Sequence, residues 1–243
     1  EVMNLKNLSV FVLAMVFSLT TATVQFVSAE SYVGVALGVS LPHDTTDIKG
    51  TTAAGVTGTG TDVSPQDAFA YGFKAGHYFD AMPWLGVEFN FSQSDPDVEK
   101  QTATATGTAG VLGTAVGQVQ VDVNSATTLG FLAMLRATEE QTKSLFNIQP
   151  YLGVGFGVNI VDLGDATTFT TAGAFNSGTN LDSDTSVGIL LSAGLNYEVC
   201  DNVKAYGEYK YTEASYDVTG ADSVDYEFDA GGSSLMFGLA YGF

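Results

Sequence analysis

The 243-residue chain contains one cysteine, five prolines and only 8 lysines and arginines, set against 27 aspartates and glutamates for a formal net charge of −19. A single cysteine excludes an internal disulfide framework and any cysteine-rich zinc module. Without clustered cations the chain has no means of gripping phosphates, which excludes a nucleic-acid binder. At 14% charged residues and a mean hydropathy of +0.18 it is too apolar for a charge-rich disordered chain. Beyond residue 30 no apolar run approaches the ~20 residues that a spanning helix requires. The chain is instead rich in glycine, with 28 residues, and in aromatics, at 12%. That combination suits many short strands joined by turns.

The first thirty residues read as an address. Lys6 precedes an apolar stretch from Leu8 to Leu19, and Val27-Ser28-Ala29 stands before Glu30. These are the charged, apolar and small-residue parts of a secretory signal peptide, so residues 1–29 are assigned to the signal and 30–243 to a single domain. The alternative, a signal anchor, is disfavoured because the apolar stretch is too short to span.

In the rest of the chain the hydrophobic residues recur with period two. Val33, Val35, Leu37, Val39 and Leu41 alternate with Gly34, Ala36, Gly38 and Ser40, and the same large–small alternation recurs in seven further segments. The clearest are Leu152 to Ile160, Val187 to Tyr197 and Leu235 to Phe243. Successive strand side chains point to opposite faces, so each segment has one greasy face and one small or polar face. A soluble sandwich would also alternate. The segments, however, are long enough to cross a bilayer at a tilt, and their connections alternate between short and long. The short ones are centred on 80–83, 138–147 and 199–202, and the long ones on 42–66, 94–124, 162–184 and 213–232. The expected fold is therefore all-β: an eight-stranded antiparallel transmembrane barrel, an up-and-down meander with both termini on the short-turn, periplasmic side. Closure follows from the solvent, because lipid offers no partners for an open sheet edge.

Parity also sorts the charges. Lys74, Arg136, Lys204 and Lys210 fall at inward parity, as do Glu88, Glu198 and Glu208. Lys74 should face Glu88 across the 80–83 turn, and Lys204 should lie near Glu198 across 199–202. Two readings stay open: paired charges that plug the lumen, since unpaired buried charge is expensive, or the lining of a narrow small-solute channel. More than half of the acids lie in the four long connections, opposed there by Lys49 and Lys100. They read as a solvated, self-repelling surface. Divalent-cation binding, bridging to lipopolysaccharide phosphates, is the sharper alternative, but no stretch has the spacing of a calcium loop. The small, repetitive stretches Gly50–Gly60 and Thr102–Gly110 read as loop tips.

Catalytic machinery is not evident. His43 follows the first strand without a nameable serine partner, and His77 reads as an interfacial side chain grouped with Tyr78, Phe79 and Trp84 in an aromatic girdle. Cys200, in a short turn, has no nearby histidine in sequence. No metal or cofactor is expected.

Pro150-Tyr-Leu-Gly-Val-Gly-Phe-Gly157, Gly194-Leu-Asn-Tyr197, Asp201-Asn202, Tyr209-Lys210-Tyr211 and the strand Leu235 to Phe243 together resemble the superfamily of eight-stranded outer-membrane barrels. This is the OmpA/OmpX-like group, with opacity-type and rickettsial-type surface antigens. The resemblance implies an outer-membrane location in a Gram-negative bacterium and contact with outer-membrane lipid and lipopolysaccharide. It also implies recognition by the barrel assembly machinery through Phe237, Leu239, Tyr241 and Phe243. Lys210 stands where many relatives carry arginine, which removes a bidentate partner. The expected role is a structural or adhesive surface antigen that meets a host or matrix ligand through its loops. Members of such a superfold do different things, so the fold alone does not assign the role.

Overall fold

The computed structural model describes residues 30–43, 48–52, 57–61, 64–107, 115–142, 148–170, 175–180, 183–219 and 224–243. The assigned signal peptide lies outside the described residues. Among those described, twelve strands follow one another in chain order. They are β1 (Glu30–Pro42), β2 (Ile48–Thr52), β3 (Thr57–Thr61), β4 (Ala68–Phe79), β5 (Met82–Ser94), β6 (Val98–Gly107), β7 (Ala115–Arg136), β8 (Ile148–Thr170), β9 (Phe175–Asn180), β10 (Asp184–Cys200), β11 (Val203–Thr219) and β12 (Val224–Gly242). One short helix, α1 (Glu139–Thr142), lies between β7 and β8.

Eight of these close a barrel. β1 pairs with β4, then β5, β7, β8, β10, β11 and β12 follow, and β12 returns to β1, every pair antiparallel. The closing seam runs from Tyr32↔Gly242 to Pro42↔Gly232, with Ser31 and Phe243 exchanging backbone hydrogen bonds below it. The period-two pattern dictates which face is which. Val35, Leu37, Phe69, Leu152, Val187 and Phe237 are all more than half exposed on the outer wall. Phe73, Phe89, Phe91, Phe131 and Phe156 form a row of ring contacts across β4, β5, β7 and β8, with centroids 5.2–5.9 Å apart. In lipid this outer face is the solvated one, and the buried core is the lumen.

The narrow radius explains the inward glycines. A Cβ on Gly38, Gly155, Gly188 or Gly238 would run into the carbonyl oxygen of the neighbouring strand. At the short β10–β11 connection, Asp201-Asn202 makes a two-residue turn with Asn202 at φ 66°, a left-handed conformation that asparagine tolerates.

The long connections are not simply loops. β7, β8, β11 and β12 run on beyond the lipid-facing band, and β2, β3, β6 and β9 pair alongside them in the order β12–β2–β3–β6–β7–β8–β9. The two stretches read as loop tips are corrected accordingly. Residues 50–52 and 57–60 belong to β2 and β3, and 102–107 belong to β6; the remainder of each stretch lies outside the described residues. Threonine favours strands, and the upward extensions of β7 and β12 offer ladder edges that need partners.

Candidate functional site: the luminal charge layer

Inside the barrel β4, β5, β8 and β11 bring their inward polar residues to one level. Lys74 is 4% exposed, and its Nζ lies 2.9 Å from Glu208 Oε2 and 3.6 Å from Glu88 Oε2. Lys210 Nζ lies 3.3 Å from Glu208 Oε1, so two cations and two carboxylates form one neutral knot. Glu88 and Glu208, at 3% and 1% exposed, lie deep in the interior. Charges this buried hold together only when paired and hydrogen-bonded, and the pairing here is extensive.

Tyrosines complete it. Tyr32 donates to Glu88 Oε2 at 2.6 Å, and Tyr151 donates to Glu208 Oε2 at 2.8 Å. Lys74 donates to the Tyr151 hydroxyl at 3.0 Å and stands 3.9 Å above the Tyr206 ring centroid, a cation–π contact strengthened by burial. Each lumen tyrosine sits against a neighbouring glycine. Tyr32 covers Gly76, Tyr78 covers Gly86, Tyr151 covers Gly194 and Tyr206 covers Gly238. The glycines provide notches into which the rings fit, and this fixes where each hydroxyl points. Around the knot, Leu132, Met134, Leu190 and Met236 fill the lumen with apolar volume.

A second cluster closes the lower mouth. The Glu30 carboxylate pairs with both Arg136 and Lys204, while Arg136 Nε donates to Pro83 O at 2.8 Å and its guanidinium stacks 3.7 Å from the Tyr78 centroid. Between the clusters lies a cavity of about 20 Å³, bordered by Tyr32, Lys74, Glu88, Met134, Arg136 and Lys204. That is about the space of a single water. Glu88 Oε1 at this cavity, and both side-chain amide atoms of Asn90 further along the same strand, are buried without a hydrogen-bond partner.

The seven charged residues singled out by parity therefore divide. Lys74, Glu88, Glu208 and Lys210 meet in the knot, although Lys74 is in register with Asn90 rather than Glu88. Arg136 and Lys204 meet through Glu30. Glu198 joins neither group: it is exposed and forms no ion pair among the described residues, despite being the register partner of Lys204. Glu198 keeps its register with Lys204, but closure of β1 brings Glu30 to Lys204 from the other side and the cation pairs there.

Two histidine expectations are also corrected. His43 has a serine partner, its Nε2 lying 3.1 Å from Ser233 Oγ, which is in turn 2.5 Å from the Tyr209 hydroxyl. Ser233 is only 6% exposed, covered by these partners. His77 lies on the outer wall 3.0 Å from Ser31 Oγ and edge-on to Phe79, but Tyr78 points into the lumen. The residues missed were Glu30 and the four tyrosines. Tyrosine at inward parity beside a glycine on the next strand was the available signal.

Phe237, Leu239, Tyr241 and Phe243 all stand exposed on the outer wall, with Tyr241 and Phe243 stacked at 6.4 Å. The Phe237 ring rests against Gly207 of the adjacent strand.

A closed antiparallel wall, greasy outside and charge-knotted inside, defines a transmembrane β-barrel. The chain belongs to the outer membrane protein beta-barrel domain family, whose model matches residues 9–243. The chain is also similar, at low identity, to solved structures. Neisserial surface protein A is 16% identical, with 89% of this chain and 100% of that one covered, at a TM-score of 0.46. OprG from Pseudomonas aeruginosa is 13% identical over 88% and 96%, at 0.49. The outer membrane protease OmpT from Escherichia coli is 10% identical over 87% and 97%, at 0.50. A comparison with curated proteins returns no match.

Proposed function

We propose that this chain is a surface protein whose lumen serves as a structural plug and whose work is done by the strands that rise beyond the lipid band, as an adhesive or antigenic surface. The observation that carries this reading is the neutral knot of Lys74, Glu88, Glu208 and Lys210, with a cavity beside it no larger than about 20 Å³. A lumen filled in this way leaves the extension as the accessible polar surface. On this reading the signal is removed after Ala29, both termini face the periplasm, and the terminal aromatic strand is the assembly machinery's recognition element. Outer-membrane lipid and lipopolysaccharide surround the wall, and a host or matrix ligand meets the extension. No catalytic role is assigned.

The test is binding of cells displaying the protein to host cells or matrix, compared with a variant in which β2–β3 and β6 are replaced by short turns. Binding that falls to background while the barrel still shows heat-modifiable migration supports the reading. Full binding by the shortened barrel would end it. The second reading, a narrow small-solute channel, draws on the buried, unpartnered Glu88 Oε1 at the cavity and the unpartnered Asn90 amide on the same strand. Planar-bilayer recording separates the two.

A further inference from the structure

The barrel wall is continuous through the lipid band, but above it, among the described residues, the seam between β10 and β11 is unzipped. β10 and β11 pair from Cys200↔Val203 up to Ile189↔Glu213, and the ladder stops there. Both strands run on. Asp184 to Gly188 of β10 remain paired with β8, and Ala214 to Thr219 of β11 remain paired with β12. Among the described residues the facing edges of these two stretches share no backbone pairing, and β9, which continues above β10, pairs only with β8.

The edge of β11 is held by side chains that imitate a strand. The Ser186 hydroxyl donates to the Ser215 carbonyl, and the Asp184 carboxylate accepts from the Asp217 N–H at 3.2 Å. These are a donor and an acceptor placed where a neighbouring backbone would supply them. Such a stitch protects an exposed edge while leaving its hydrogen-bonding pattern intact for a competitor.

The outer face beside the seam is strongly acidic. Glu213, Asp217, Glu227 and Asp229 are all exposed, and Asp217 and Glu227 stand directly opposite one another across the β11–β12 ladder. Like charges in register destabilise a sheet. Ser215 Oγ engages Asp229 at 2.6 Å, and Lys49 of β2 is in register with Glu227; no other lysine or arginine is in register with these four acids among the described residues.

We infer that the seam between Asp184–Val187 and Ser215–Asp217 is a docking edge for an extended, basic peptide segment of a partner protein. The peptide displaces the Ser186 and Asp184 stitches, pairs its backbone with β11, and sets alternate lysines or arginines against Glu213, Asp217, Glu227 and Asp229. This rests on the proposed surface role and names the partner chemistry for it.

The experiment uses the full barrel in nanodiscs, with Cys200 replaced by Ser, and fluorescence anisotropy of an eight-residue peptide of alternating lysine and threonine. The expected result is binding at least tenfold tighter than that of the same peptide with alternate backbone nitrogens methylated, and than that of a glutamate–threonine counterpart. A Val187→Cys/Ser215→Cys pair lies two register steps beyond the end of the ladder at Ile189↔Glu213. Oxidising it should weaken binding about tenfold, and reduction should restore it. Equal affinity for the methylated peptide, or no measurable binding by the unsubstituted barrel, would overturn the inference. Loss of the seam interaction with cell binding intact leaves the surface role standing, whereas full cell binding by the shortened barrel removes that role regardless of the peptide result.

Discussion

The lumen and the extension are built from the same strands under opposite rules. In the lumen, Lys74, Glu88, Glu208 and Lys210 are balanced in charge and tied to Tyr32 and Tyr151. In the extension, Asp217 faces Glu227 and an edge of β11 is held by two side chains. The first arrangement resists change, because any deletion strands a buried charge. The second stores little and leaves backbone groups and negative charge on offer. Rigidity below and availability above are what a surface protein anchored by its barrel requires.

Substitutions should expose this contrast, starting with the largest effect. Glu208→Ala leaves Lys74 and Lys210 facing each other without their shared carboxylate, at a cost of about 3–5 kcal/mol. The temperature at which the folded species disappears from heat-modifiable migration should fall sharply. Phe237→Lys puts a cation on the lipid face and should cost about 2–4 kcal/mol near the bilayer midplane. The matched change Ser215→Lys, in the extension, should stay within about 0.5 kcal/mol in the same assay. Gly194→Leu fills the notch occupied by the Tyr151 ring and should cost about 1–3 kcal/mol through overpacking. His43→Ala removes one partly exposed hydrogen bond to Ser233 and should cost about 0.5–1.5 kcal/mol in the same assay.

The same contrast sets what the sequence could reveal. Strand parity is strict where one face meets lipid, so the outward placement of Leu37, Leu152 and Phe237 and the inward placement of Lys74, Glu208 and Lys210 follow from alternation alone. Nothing in the local pattern announces that Glu30 reaches Arg136 and Lys204, because that contact exists only once β1 closes on β12. Glu198 misled for the same reason: it is in register with Lys204, but the lysine pairs with Glu30 on the closing strand. The threonine-rich stretches of β2, β3 and β6 carry no large–small alternation in sequence, so they read as loops. Their strand form comes from the neighbouring edges of β7 and β12.

The central claim, that the luminal knot closes the barrel and leaves function to the surface, is tested most directly by single-channel recording of the purified protein in planar bilayers. The account predicts no steady openings for the unsubstituted protein, and the appearance of openings when Lys74 and Glu88 are both replaced by alanine. Steady openings in the unsubstituted protein that vanish on substituting Lys74 or Glu88 would contradict it and establish the lumen as a conducting path.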